Sequence, residues 1–416
     1  MLPSVIRKVL NNMNCRFCTT PLTSEFLDLV NSPASNSFLT KEQLNEPEIF
    51  YPLKLFVCDS CRLVQIDEYK KSDDIFDKNY IYFSSFSTSW VEHAKNYVDM
   101  ISSRLKLNQD SFVIEIAAND GYLLQYVKEN NIPCLGIEPT GSTAKVAREK
   151  GIEILEEFFS LALAKSLKKA DLILGNNVLA HVPDINDFVA GLKEVLAAEG
   201  TITMEFPHLL RLIEEMQFDT VYHEHFSYFS LYTVMQIFKS QDLDIYDVDE
   251  LPTHGGSLRV YAKHCSDKSK NIGQNIQKVL DDEKAYGLHS KEGYKGLQTK
   301  VTQIKYDFLE FLVNAKKEKK KIIGYGAAAK GNTFLNFCGI KNDFIDFIVD
   351  KSPYKQNHYL PASHIPVVSE DNIKSFKPDY IIIFPWNIKE EIMKQLSYTR
   401  KWGCKFVVAI PEIRFL

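Results

Sequence analysis

The sequence predicts an α/β chain built from two successive parallel-sheet units behind a cysteine-bearing segment. Three observations predict this. From residue 91 onward, short apolar strands alternate with amphipathic helices, and that alternation is the mark of βαβ units, which demand a parallel sheet. The same alternation restarts at Ile322 after a long polar helical stretch. The first 75 residues hold two CxxC pairs among short strand-like pieces, a spacing of metal sites.

Boundaries at 75 and 265 divide the chain into 1–75, 76–265 and 266–416. In the middle part the pattern predicts a helix from Trp90 to Leu105, strand 112–117, a helix from Gly121 to Glu129, strand 134–139 and a helix from Ser142 to Lys150. Strand 170–177 follows, then a helix after Pro183-Asp184 with Phe188, Val189, Leu192, Val195 and Leu196 on one face, stopped at Gly200 as glycine commonly stops helices. Strand 201–206 comes next, and 242–251 with 256–264 reads as a closing antiparallel pair. Residues 266–320 contain no proline and carry Ile304, Phe308, Phe311 and Leu312 at helical spacing, which predicts a pair of long helices. The Lys-rich run 316–321 is a solvated helix end, and strand 322–326, a helix from Ala328, strand 343–350 and strand 379–385 form the second α/β unit.

Length and composition narrow the function classes. A chain of 416 residues accommodates two to four domains at roughly 100–200 residues each. Forty-nine Lys and Arg against 54 Asp and Glu give a net charge of −5, so nothing general draws the chain to phosphate backbones or anionic lipid. No apolar run of membrane-spanning length and no secretory signal is evident, and the reading is of a cytoplasmic monomer without nucleic-acid or membrane partners. Cys134, Cys265, Cys338 and Cys404 stand singly, which is not the usage of a disulfide framework.

Four motifs carry chemistry. Cys15-Arg-Phe-Cys18 and Cys58-Asp-Ser-Cys61 are two knuckles whose four thiolates complete the tetrahedral shell of a structural zinc and leave no open position for catalysis. Glu115-Ile-Ala117-Ala-Asn119-Asp120-Gly121 leaves a strand and opens a helix, where small residues let a ligand approach the backbone. Eighteen positions past Asp120, Glu138 and Pro139 end the next strand, where a carboxylate takes ribose hydroxyls. The departure from GxGxxG leaves room for the amino-acid end of S-adenosylmethionine. Tyr222-His223-Glu224-His225-Phe226 follows strand 201–206 at the sheet edge that holds chemistry in such folds; histidine is the default general base near neutrality. Finally, Gly324-Tyr-Gly326-Ala-Ala-Ala-Lys330-Gly-Asn332 is a second small-residue turn, with Asp350 ending the next strand; it reads either as an NAD site or as a helix start holding a diphosphate. Asn176 and Asn177 end a strand beside the cofactor loop; His181 is either an active-site contact or the start of a helix, and Arg259 either meets a phosphate or is a solvated strand residue.

With these residues in hand the chain resembles the C-methyltransferases of nucleotide-linked 4-keto-6-deoxy sugars, the 3-C-methyltransferases of branched deoxysugar synthesis. The resemblance runs in order through CRFC, VCDSCRLVQ, YIYFSSFSTSW, EIAANDGYLL, HVPDINDF, MEFPHLLRLI, TVYHEHFSYFS, HGGSLRVY and GYGAAAKGN, from Cys15 to Asn332. It implies a zinc-binding N-terminal domain, a Rossmann-like S-adenosylmethionine methyltransferase domain and a C-terminal Rossmann-like domain, with the sugar nucleotide between the last two. It also implies His225 as the base at C3 with Tyr222 assisting, and His181, Glu224 and a tyrosine of the YIYFSS stretch (Tyr80 or Tyr82) close by; independently of it, the motifs that hold His223, Arg259, Lys330 and Asn332 put these four toward the substrate. One departure stands out: Ala117 occupies a position where the family usually has glycine.

A C–H bond beside a ketone is acidic because its carbanion delocalises as an enolate, so one neutral His suffices as base when the oxyanion is stabilised. Three rivals are an RNA methyltransferase with a zinc-ribbon reader, an NAD-dependent sugar-nucleotide oxidoreductase using the second turn, and a non-catalytic nucleotide-sugar scaffold.

Overall fold

A computed structural model describes residues 13–70 and 83–416. Three sheets organise them. The central sheet has seven strands in the spatial order Leu243–Leu251, Ser257–His264, Leu196–Pro207, Ala170–Asn176, Val113–Ile116, Cys134–Ile137 and Ile154–Leu155. Ser257–His264 runs antiparallel to both of its neighbours, and the other described pairs are parallel. Every residue of Val113–Ile116 is buried, because helices cover both faces of a parallel sheet. Alternate side chains of the sheet feed two cores: Ile114, Ile116, Ile173 and Met204 on one face, and Val113, Leu172, Leu174 and Tyr261 on the other.

Val113–Ile116 pairs with Cys134–Ile137 on one side and Ala170–Asn176 on the other. Connections diverge from this strand, so a crevice opens at its carboxyl end. The C-terminal sheet repeats the device. Its order is Val367–Val368, Ile348–Val349, Ile322–Tyr325, Tyr380–Ile383, Lys405–Val408 and Arg414–Phe415, with Ile322–Tyr325 at the switch point.

The N-terminal sheet is antiparallel: Ser24–Ser32, Tyr51–Val57, Val64–Ile66 and, from far along the chain, Ser227–Tyr228. Its buried face (Leu27, Leu55, Ile66) shares one core with Ile322, Ile348 and Ile382 of the C-terminal sheet. The cysteines Cys15, Cys58 and Cys61 join the core of the central sheet instead. The cysteine-bearing part is therefore wedged between both α/β units.

The elements follow their sequence signals with three main departures, two in helices and one in a strand. Thr88–Leu105 is capped by Ser87, whose hydroxyl accepts the Trp90 amide at 3.3 Å, and Ile185–Val195 by Asp184, which accepts the Asp187 amide at 3.0 Å, each satisfying an otherwise orphaned N–H. The second of these helices does not run to Gly200: Leu196 already begins the strand Leu196–Pro207. Gly200 is there because a β-carbon would meet the Ala170 carbonyl at 2.9 Å, a close backbone approach inside a sheet. The helix expected from Gly121 starts at Leu124, since residues 117–121 form a turn in which Gly121 has φ +72°. Strand 343–350 shrinks to Ile348–Val349. The predicted helix pair is present as Asn275–Tyr286 and Leu297–Lys317, the latter burying Val301, Ile304, Phe308 and Leu312 as one stripe. Among the described residues, no helix is long and apolar enough to cross a membrane.

Candidate active site and metal centre

The two knuckles bring Cys15, Cys18, Cys58 and Cys61 together, with all four sulfurs within 4.8 Å of one another. Cys15 and Cys61 lie 3.5 Å apart, as do Cys18 and Cys58. Tetrahedral zinc with Zn–S bonds of about 2.3 Å sets its sulfurs about 3.8 Å apart, so the donor set fits that ion. Each knuckle turns in the same way: the Thr19 amide donates to the Cys15 carbonyl at 2.9 Å and the Arg62 amide to the Cys58 carbonyl at 3.1 Å. Thr19 and Arg62, each directly after a knuckle, both take positive φ.

The switch points of the central and C-terminal sheets open into one cavity of about 680 Å³. On the cofactor side Ala117, Asn119, Glu138, Pro139, Asn176 and Asn177 line it. Glu138 accepts the Asn119 amide on one oxygen and the Thr140 amide on the other, each at 2.9 Å, which fixes both the loop and the carboxylate. Three residues expected to bind cofactor lie off the cavity wall. Glu115 is fully buried beneath the turn, where burial, followed by the charges of Glu138 and Asp120, raises its pKa well above the carboxylate range. Asp120 is turned to the Ser85 amide at 3.2 Å. Gly121 sits in the tight turn, where a β-carbon would strike Ile152 at 2.4 Å.

Opposite the loop, Tyr222, Glu224, His225 and His181 line the same cavity. His225 Nδ1 lies 3.0 Å from the Thr220 carbonyl and His181 Nδ1 lies 2.8 Å from the Glu224 carbonyl. Carbonyls only accept, so each Nδ1 carries its proton and each Nε2 keeps a lone pair. The two imidazoles are 4.7 Å apart, and the Tyr222 ring is 4.0 Å from His225. Burial, then the neighbouring His181, holds the His225 pKa well below its usual value; burial takes His181 down to about 4. Both are neutral at pH 7. Glu224 moves the other way: burial raises it to about 7, against the pull of the Asn36 amide, which donates to it at 2.7 Å.

Several expectations need correction. His223 points away from the cavity: its Nε2 meets the Pro52 carbonyl at 3.1 Å and its ring packs on Tyr51 and Tyr69. Residues 223–224 form a turn, closed by the His225 amide donating to the Tyr222 carbonyl at 2.9 Å, and through it Tyr222, Glu224 and His225 reach the cavity while His223 does not. Arg259 is 4% exposed and spent on Glu205, 2.5 Å away, with its guanidinium over Tyr97. Burial alone would raise Glu205, but His93 and Arg259 bring it down to about 2. Asn332 is buried and donates to the Ser35 carbonyl at 2.5 Å. Lys330 does line the cavity, donating to Asn387 at 3.1 Å and lying over Trp386; desolvation in that recess lowers its pKa against the pull of Asp219. Tyr80 and Tyr82 lie outside the described residues.

Several cavity residues were not anticipated, Asn36 and His254 among them. Asn36 arrives on an arm of the N-terminal part, 188 positions before its partner Glu224, and no local pattern flags it. His254 had a signal in the following Gly255-Gly256. It adopts φ +55°, meets the Asn177 side-chain amide at 3.0 Å and packs on Trp90.

A seven-stranded sheet with one antiparallel strand, a small-residue turn at its switch point and a four-thiolate cluster define a zinc-binding, S-adenosylmethionine-dependent methyltransferase. Comparison with known families agrees segment by segment: a zinc binding domain matches residues 15–76, a methyltransferase domain 90–248, and a C-methyltransferase C-terminal domain 252–411. Taken in order, the three matches give the chain the layout of a zinc-binding C-methyltransferase. It is similar to C-methyltransferase NovU of Streptomyces niveus, with 29% identity over 409 residues, covering 97% of this chain and 96% of that one. Among solved structures it is similar to magnesium protoporphyrin IX methyltransferase of Synechocystis (13% identity, TM-score 0.35, 47% of this chain and 99% of that one). An S-adenosylmethionine-dependent methyltransferase of Clostridium acetobutylicum also matches (9% identity, TM-score 0.34, 42% and 92%).

Proposed function

We propose that this C-methyltransferase adds a methyl group to C3 of a nucleotide-linked 4-keto-6-deoxy sugar, carried on thymidine or guanosine diphosphate, in branched deoxysugar synthesis. The observation that carries the reading is the single cavity shared by the cofactor turn, two neutral histidines and the helix start at Lys330. The working units of this reading are residues 1–75, 76–265 and 266–416.

The cavity suits both ligands. Glu138 would take the ribose hydroxyls of S-adenosylmethionine, the Ala117–Asn119 backbone its amino-acid end, and Phe158 and Phe159 its flat base. When bound, S-adenosylmethionine supplies an electrophilic methyl, which C3 takes as the C–S bond breaks and S-adenosylhomocysteine is released. His225 Nε2 removes the C3 proton, and the electron pair spreads onto the C4 oxygen as an enolate. The Nδ1–H bond to Thr220 survives in the resulting imidazolium and holds its ring. Tyr222 and Glu224 face the sugar oxygens, and Lys330 faces the diphosphate. The reacting carbon must come within roughly 3–3.5 Å of the methyl, which a single cavity shared by both ligands favours.

The test is incubation with labelled methyl donor and a panel of nucleotide-linked 4-keto-6-deoxy sugars, read by product mass. A gain of one methyl at C3 of one panel member is expected. Methylated RNA, a reducible bound dinucleotide, or no transfer to any sugar would overturn the reading.

A further inference from the structure

Arg16 sits inside the first cysteine knuckle yet reaches out of it. Its Nη1 donates to the Pro183 carbonyl at 2.9 Å and its Nη2 to the Ile66 carbonyl at 2.5 Å. The guanidinium also lies over the Phe226 ring, 5.3 Å from its centroid. Pro183 stands two residues after His181, and Phe226 directly follows His225. These two segments are tied to each other as well, since the Phe226 amide donates to the Ala180 carbonyl at 2.7 Å. On the metal side, the Arg16 amide donates to Gln65 Oε1 at 2.9 Å, and Gln65 Nε2 donates to Cys15 Sγ at 3.2 Å. Gln65 in turn pairs in the sheet with Ser227.

We infer that Arg16 is a positioning residue: anchored by the metal-bound knuckle, it sets the spacing of the two histidine-bearing segments, so the zinc site governs the geometry of proton removal without touching the reactants. The inference rests on His225 being the base. A planar guanidinium with five donors spans two carbonyls and stacks on a ring at once, whereas a lysine ammonium offers one compact point of attachment. The knuckle supplies the rigidity, because four thiolates on one ion leave the Arg16 backbone no room to drift.

The test compares Arg16→Met, Arg16→Lys and a control, Lys54→Met, in the full-length, zinc-loaded protein. Lys54 lies in the same domain but pairs only with Glu25 and Asp28 among the described residues. Expected for Arg16→Met are unchanged zinc content and S-adenosylmethionine affinity, a kcat reduced ~100-fold, the size of effect an ångström of misplacement produces, and little change in KM. Arg16→Lys recovers part of the loss. Independently of turnover, the imidazole ¹⁵N resonances of His181 and His225 shift in Arg16→Met and stay in place in the control.

Unchanged kcat together with unchanged imidazole resonances overturns the inference. So does loss of zinc, cofactor affinity and thermal stability together in both Arg16 variants, the signature of a scaffold role alone. If Arg16→Met does not fold, Arg16→Lys decides through the same resonances. If the wild-type protein methylates no sugar in the panel, the proposed reaction falls while the imidazole measurement still settles Arg16.

Discussion

The chain builds the same local device twice and uses it differently each time. In the central unit a buried strand runs into a small-residue turn, and Glu138 at the end of the next strand faces the cavity. In the C-terminal unit Ile322–Tyr325 runs into Gly326-Ala327-Ala328, and Asp350 stands in the corresponding place. There the protein's own groups crowd the first residues of the turn. A β-carbon on Gly326 would meet Pro385 at 2.4 Å, Lys355 donates to the Ala327 carbonyl at 2.8 Å, and Asp350 accepts the Ala327 and Ser352 amides at 2.8 Å with Lys355 3.9 Å away. What the second unit gives the cavity is a wall that includes Ala328 to Lys330, Lys355, Pro385 and Asn387. A repeated fold thus repeats the opportunity for a ligand, and local side chains decide whether it is kept.

The sharpest way to break this division of labour is to remove the base from the central unit. His225→Asn should lower kcat by at least ~10²–10⁴-fold, the usual worth of a positioned general base, and leave S-adenosylmethionine affinity intact by calorimetry; turnover near the wild-type rate would end the assignment.

Next in size is the contrast of the two acids. Glu138→Ala should weaken cofactor binding ~10–100-fold, the loss of one hydrogen bond to a charged group at about 1.5–3 kcal/mol. Asp350→Ala should leave it within about twofold. Equal losses in the two variants would mean that both crevices take nucleotide.

The pH profile gives a smaller effect with a definite sign. A base whose folded pKa is depressed stays competent as pH falls through the ordinary histidine value and is lost only further into acid. The acid limb of kcat/KM attributable to His225 should therefore lie below 6.5, the unperturbed value, in a profile taken from pH 5 to 8. A limb at or above 6.5 would mean that the imidazole is not desolvated.

Smallest is Ala117→Gly. Ala117 holds φ +58°, a left-handed conformation that costs an L-residue about 1–2 kcal/mol, part of which glycine returns to unfolded-chain entropy. A gain of about 1 kcal/mol in denaturant unfolding is expected, and a loss of stability would show that the methyl group packs usefully.

Much of this was legible in the sequence because the signals are local. Two CxxC knuckles, a turn after an apolar strand and an acid at the end of the next strand each depend on neighbours within about twenty positions, and the central βαβ pattern reads directly from apolar periodicity. What was illegible depends on partners far along the chain. Arg259 looked available for a phosphate because Glu205, 54 positions earlier, gives no sign that its carboxylate will be buried beside it. Asn332 was drawn toward the substrate by its place in a ligand-type turn, yet it closes on Ser35, 297 positions away. Gly200 marks a helix stop and a tight sheet contact equally well by sequence, and only the Ala170 carbonyl against it decides. His223 and His225 are chemically the same; the side of the segment each occupies is fixed by the N-terminal sheet packed against it.

That sheet also bears on how the chain comes to be folded. Its fourth strand is Ser227–Tyr228, so when the ribosome has released the cysteine knuckles, the edge of Val64–Ile66 is still bare. Unpaired strand edges invite pairing with other chains, and more than half of the 416 residues must be synthesised before the proper partner exists.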